Sequence, residues 1–320
     1  MRGLWIQGGE VRAREDLERP PAREGESRVR VSLAGVCATD LALLDGYAGF
    51  QDIPGHEFVG VALEGPLAGR RVVGEINAGC GRCARCLAGD PRHCAERTVL
   101  GIIERPGAFA EELSLPHANL LPVPDEVPDR AAVFCEPLAA GLAVLEALGD
   151  ARGARALVVG DGRLGLFCAH ALHRGGAEVT VAGRHAEREA LLPGSCELRL
   201  GLCEPGAMAT TGTYDVVVEA SGHPATLAPA LAHVRPRGTL VLKTTTAEPA
   251  TLDLAPLVVN EVRLVGSRCG RFEPALEWLA ESPLPLEGWI DAVLPLDRGR
   301  EALQRAGRSG TLKVLLDPTT

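Results

Sequence analysis

The chain has 320 residues, 46% hydrophobic and 23% charged, with a net charge of -9, a length that fits about two domains each burying its own core. The acidic balance disfavours a nucleic-acid partner, which needs a basic face, and no apolar run reaches the roughly 18 residues of a membrane span. No secretory h-region follows Met1, so the ten cysteines are expected as thiols in a cytoplasmic setting rather than as disulfides.

From Val29 to about Pro124 the sequence is short-period and β-prone, broken by Gly and Pro, as in Val29–Val31, Phe58–Val61 and Arg70–Val73. Such runs predict a strand-rich, loop-rich domain. From Asp129 to Leu148 the spacing turns helical, with Asp129 as N-cap and Gly149 as the stop. Pro137 predicts a break just after Glu136. From Ala154 to Ser267 apolar strands (Ala156–Val159, Val179–Ala182, Asp215–Val218, Thr239–Leu242) alternate with helical segments, one of them running to about Arg174. That alternation predicts βαβ units and a parallel sheet buried on both faces. The last segment, Leu257–Val262 with Leu264–Ser267, reads as the final sheet strands, and the tail ends in a strand at Leu312–Leu316. The fold class is thus α/β, a Rossmann-type doubly wound sheet plus a β-rich domain. The boundaries are 1–148, 149–267 and a C-terminal segment 268–320 returning to the first domain.

Gly160-x-Gly162-x-x-Gly165 follows a predicted strand and opens a predicted helix, the context a dinucleotide fingerprint requires. Gly160 serves the tight turn, Gly162 the approach of a pyrophosphate and Gly165 helix–strand packing. Arg163 and Leu164 complete the turn, and the helix N-terminus favours the anion. The plainer reading is a Gly-rich turn in another α/β domain. At the end of the second strand Gly183-Arg184-His185 stands where an NAD site usually has an acid. Gly183 would leave room and Arg184 could pair bidentately with a 2′-phosphate, so NADP is favoured over NAD. Alternatively Arg184 is only a solvated loop residue.

Cys80, Cys83, Cys86 and Cys94 give C-x2-C-x2-C-x7-C, four thiolates able to close a tetrahedron around a structural Zn²⁺, with Arg82, Arg85 and Arg92 offsetting the charge. An Fe–S cluster is the other reading. Elsewhere Cys37, His56 and one carboxylate would provide three ligands and an open position, the mark of a catalytic zinc. Taken singly, His56 reads equally as a core histidine and Cys37 as a small buried residue.

Together these segments resemble the zinc-containing medium-chain dehydrogenase/reductase superfamily, nearest its sorbitol- and threonine-dehydrogenase-like members. The resemblance rests on Gly35–Asp40, Pro54–Gly60 with its Gly-His-Glu, the four-cysteine lobe at 80–94, Cys135–Leu138, the Gly-rich turn and Val218–Gly222. It implies a GroES-like catalytic domain, a catalytic zinc on Cys37 and His56 with Glu57 on or beside it, and Glu136 at the remaining ligand position. Thr39 matches a proton-bridging hydroxyl, and Ser221 lies in a segment expected at the cofactor. Where many relatives have a relay histidine this chain has Ala42, and the Cys37–His56 segment is short. Leu43, Tyr47 and Phe50 could line a substrate pocket or simply pack.

The expected activity is hydride transfer between a primary or secondary alcohol (a polyol or hydroxy compound) and NAD(P), giving an aldehyde or ketone. Rival readings are a non-catalytic nucleotide sensor on the same fold and a zinc-independent quinone or enone reductase. The expected partners are a small alcohol or carbonyl compound and a second copy of the chain, as a homodimer or homotetramer.

Overall fold

The computed structural model describes residues 1–21, 23–203, 213–245, 249–282 and 284–320. They form two compact units, Met1–Glu136 with Phe272–Thr320, and Pro137–Arg271. The sequence places the first boundary after Leu148, whereas the contacts divide inside the helix Cys135–Leu148. Val144, Leu145 and Leu148 on that helix pack into the core of the second unit. Among the described residues no helix is long and apolar enough to cross a membrane.

The first unit is built on a seven-stranded sheet. Its order is Leu120–Pro122, Arg71–Gly74, Glu57–Ala62, Glu26–Gly35, Lys313–Asp317 and Ile290–Pro295, with Glu112–Pro116 also paired to Glu26–Gly35. The C-terminal strand Lys313–Asp317 runs antiparallel to Glu26–Gly35, so the tail closes on the N-terminal part of the chain. A small three-stranded sheet, from Asn77–Ala78, Thr98–Leu100 and Glu104–Arg105, flanks the cysteine segment.

The second unit carries six strands, all parallel: Glu197–Leu200, Glu178–Gly183, Arg155–Val159, Tyr214–Glu219, Val234–Leu242 and Arg263–Gly266. Successive residues face opposite sides of a sheet. Accordingly Ala156, Val158, Val216 and Val218 enter one buried cluster while Leu157, Val159 and Val217 enter another. Each such fully buried Val or Leu contributes roughly 1.5–3 kcal/mol over its exposed state. The strand order reverses between Arg155–Val159 and Tyr214–Glu219, the switch point at which doubly wound sheets bind ligands.

Three local expectations change. Pro137 breaks nothing, because it is the third residue of Cys135–Leu148, within the first turn, where no backbone N–H has an intrahelical acceptor. The interruption falls earlier, between Asp129–Ala132 and Cys135. Asp129 is the first helical residue after a Pro128 cap, and its carboxylate pairs with Arg71 at 2.8 Å. Gly149 does terminate the helix, with φ 85° and its N–H on Leu145 O. Lastly, Leu257–Val259 belongs to a short helix, Ala255–Val259, started by Pro256 and by the Asp253 carboxylate on the Ala255 N–H. Proline's fixed φ suits that position, and only Arg263–Gly266 forms the edge strand.

Candidate metal centres and cofactor turn

Sheet register assembles the first cluster. Gly35 pairs with Glu57 in the antiparallel strands, so the residues just beyond each strand end, Cys37 and His56, come to the same edge. Leu315 pairs with Gly35, and Val36 N–H bonds Val314 O, which brings Lys313 to that edge as well. The ligand atoms of Cys37, His56 and Glu57 all lie within 4.8 Å of one another. Gly55, with φ 96°, makes the turn into His56. A Cβ there would strike the Phe109 ring, so only glycine fits.

Asp40 ties the cluster together. It is fully buried, accepts the N–H of Cys37 at 2.8 Å and of Gly55 at 3.2 Å, and places Oδ1 3.3 Å from His56 Nδ1. Burial pushes the His56 imidazole down, but Asp40 and Cys37 beside it prevail and hold its pKa well above the ordinary histidine value. Thr39 Oγ1 lies 3.7 Å from Cys37 Sγ. Glu57 is wholly buried and receives a hydrogen bond from Lys313 Nζ. Glu136 does not join the Cys37–His56–Glu57 group. Its neighbour Cys135 is buried with its thiol on Phe272 O at 3.8 Å. Burial, with Glu136, Glu75 and Glu273, pushes that thiol well above its usual pKa. Leu43 and Phe50 are core residues at 1% and 8% exposure, and Tyr47 is exposed.

The four sulfurs of Cys80, Cys83, Cys86 and Cys94 likewise lie within 4.8 Å of one another. Cys83 and Cys86 are 3.6 Å apart, sulfur to sulfur. A tetrahedral zinc with Zn–S bonds near 2.3 Å needs sulfurs about 3.8 Å apart, so the donor set fits. Arg82 is paired with Glu96 and Arg92 with Asp90, so carboxylates already match two of the three arginines. Arg82 still interacts electrostatically with Cys80 and Cys94, and backbone dipoles act as well. The N–H groups of Arg82 and Cys83 lower the Cys80 thiol to about 7, and that of Cys86 lowers Cys83. Burial raises Cys86 to about 11.

In the second unit the Gly-rich turn sits at the switch point. Gly160, at φ 112°, packs against Ala220 and Ser221, where a Cβ would meet backbone at 2.7–2.9 Å. Helix Arg163–Arg174 starts from Gly162 with no side-chain cap, and Leu164 packs into the core. First-turn N–H groups without a capping side chain suit a phosphate. Ser221 Oγ donates to Glu219 Oε1 at 2.6 Å. The room beside Gly183 is taken: a Cβ built there would lie 2.5 Å from Asp161 Oδ2. Arg184 is exposed.

Family models match in two places, an alcohol dehydrogenase GroES-like domain over residues 23–125 and a zinc-binding dehydrogenase domain over 204–281. An L-threonine 3-dehydrogenase of Streptomyces coelicolor is 31% identical across 99% of this chain and 96% of its own length. The chain belongs to the zinc-containing medium-chain dehydrogenase/reductase superfamily. The starvation-sensing protein RspB of Escherichia coli K12, a further relative of this dehydrogenase chain, is 29% identical over 95% of this chain and 94% of its own length. The solved structure of RspB from E. coli CFT073, complexed with NADH, superposes with a TM-score of 0.87. It is 26% identical over 99% of both chains. The protein is thus an alcohol-dehydrogenase-type oxidoreductase of this superfamily.

Three residues escape sequence reading of this dehydrogenase. Asp40 carries a weak local signal, an acid three residues after Cys37 at a helix start. Lys313 lies 256 residues from Glu57, and nothing local marks it beyond its being one of only two lysines. Asp161 occupies a variable position of the glycine motif, between Gly160 and Gly162.

Proposed function

We propose that this chain is a zinc-dependent dehydrogenase that oxidises a small primary or secondary alcohol, a polyol or hydroxy compound, with a nicotinamide dinucleotide. The observation that carries this is the convergence of Cys37, His56 and Glu57 within 4.8 Å. A thiol, an imidazole and a carboxylate make three protein ligands, which leave a position for a substrate oxygen. The metal, when bound there, supplies Lewis-acid polarisation of that oxygen. The dinucleotide supplies the hydride acceptor.

The chain's own residues do the rest. Asp40 faces His56 Nδ1 and would leave the other ring nitrogen, Nε2, for the metal, the usual carboxylate support for a histidine ligand. Thr39 Oγ1, close to Cys37 Sγ, would accept the hydroxyl proton of the substrate and pass it on through the cofactor ribose or water, since Ala42 provides no imidazole. Glu57 is the carboxylate that the geometry favours, while Glu136 keeps the role that the family resemblance gives it only if it swings toward the cluster. Cys80, Cys83, Cys86 and Cys94 would hold a second, structural zinc. The turn Gly160–Gly165, with the first-turn N–H groups of Arg163 and Leu164, would hold the pyrophosphate, and Gly183, Arg184 and Ser221 would lie at the dinucleotide.

None of the ten cysteines forms a disulfide, in keeping with the cytoplasmic setting proposed for the chain. Leu254, Val258, Val259 and Leu264 are 44–79% exposed beside the edge strand Arg263–Gly266. Unpaired edges are commonly covered, which supports a homodimer, or a tetramer built from dimers.

The test is metal analysis alongside a panel of alcohols and aldehydes assayed with NAD and NADP. Two zincs per chain with turnover of at least one alcohol is the expected result. One zinc without turnover favours the sensor reading, and turnover of enones without zinc favours the reductase.

A further inference from the structure

In dinucleotide-binding domains the acid that bonds the adenosine ribose hydroxyls stands at the end of the second strand, about 20 residues beyond the glycine motif. Here the second strand ends at Gly183, followed by Arg184 and His185, with no acid. A carboxylate reaches the same spot from the other side. Asp161, between Gly160 and Gly162, is 5% exposed, and its Oδ2 accepts the N–H of Arg184 and of His185, both at 2.8 Å. The His185 Nδ1 lies 3.1 Å from both of its oxygens. A Cβ on residue 183 would fall 2.5–2.8 Å from Asp161 Oδ2, Cβ and Cγ. The loop acid therefore fills the space that a side chain at 183 would need.

We propose that Asp161 is the cofactor-specificity residue and selects NAD over NADP, reversing what Gly183 and Arg184 suggest by sequence. The inference rests on the dinucleotide-dependent reading above. Two backbone donors that could grip a 2′-phosphate are already committed to a resident anion. Burial pushes the Asp161 carboxyl up, but the N–H groups of His185 and Arg184 and the His185 ring outweigh it, so the group is ionised at neutral pH. A phosphate brought beside it meets like charge in a partly buried place, where screening is weak. The guanidinium of Arg184 is exposed, and solvent weakens its compensating attraction. Ribose hydroxyls, by contrast, can donate to the remaining carboxylate lone pairs.

The test is a fluorescence titration of the full chain with NADH and with NADPH, without substrate. Wild type is expected to bind NADH at least about 100-fold tighter, a difference of about 2.7 kcal/mol. Asp161→Asn is expected to narrow that ratio tenfold or more, chiefly through tighter NADPH. The double variant Asp161→Gly with Gly183→Asp, which moves the acid to the strand end, is expected to restore it. Should the single variant unfold, the wild-type ratio and the double variant decide. Equal binding of the two nucleotides by wild type, or an unchanged ratio in folded Asp161→Asn, overturns the proposal and leaves the dehydrogenase reading standing. Binding of neither nucleotide overturns both.

Discussion

Lys313 and Glu57 form an ion pair with both side chains at zero exposure, joining the C-terminal strand to the candidate catalytic cluster. The ammonium also donates to Val36 O at 3.4 Å and lies 5.4 Å over the Phe134 ring. Gly35 leaves the room, since a Cβ there would run into the Glu57 carboxylate. Removing one partner of a buried pair strands the other charge, at about 3–5 kcal/mol. Lys313→Ala is therefore expected to lower stability by that amount in chemical denaturation. Lys313→Met combined with Glu57→Gln should recover most of it while catalytic activity stays low. Equal activity in the double variant and wild type would remove Glu57 from the catalytic site.

The Asp40–His56 contact predicts a metal effect without a loss of fold. Asp40→Asn keeps the size of the side chain but removes the charge facing His56 Nδ1. Loss of such outer support typically weakens metal affinity by 10–100-fold. Chelator competition is expected to show one of two zincs loosened to that degree while the other is unmoved. Two equally loosened zincs would mean that Asp40 acts on the fold as a whole.

The cysteine lobe predicts the complementary result. Cys94 is the buried member of its four, and Cys94→Ser should abolish one zinc per chain and lower the melting temperature, at roughly 2–4 °C per kcal/mol for a unit of this size. The remaining zinc should stay at the Cys37 cluster, where cobalt substitution can report it through its thiolate absorption.

The Glu26–Arg105 pair sets part of the acid limit. Arg105 donates to both Glu26 oxygens at 2.8 and 3.1 Å, and Ser114 adds a third bond at 2.8 Å. Burial pushes the Glu26 carboxyl up, yet these bonds and the guanidinium charge hold it below its ordinary 4.5. A carboxyl lowered on folding adds stability that is complete above its unfolded value and fades as pH falls through the folded one. Glu26→Gln should therefore be less stable than wild type at neutral pH, with the gap shrinking below about pH 4.5. Urea melts across pH 3–7 would show it, and a constant gap would exclude the linkage.

What the sequence determined by itself is whatever neighbours along the chain can encode. The four cysteines at 80–94 belong to one loop, so their spacing alone fits a tetrahedron. The alternation of apolar runs with helical stretches sets a parallel sheet because both of its faces must be buried. Positions such as Gly160 need a backbone conformation that few other residues adopt. Tertiary structure decided the rest, because a side chain's partner across a strand depends on register, and register is fixed by the whole sheet. Cys37, His56 and Lys313 share an edge only through the Gly35–Glu57 and Gly35–Leu315 pairings. Gly183 read as open space until folding placed Asp161 in it, and Pro137 read as a break until the helix proved to begin two residues before it.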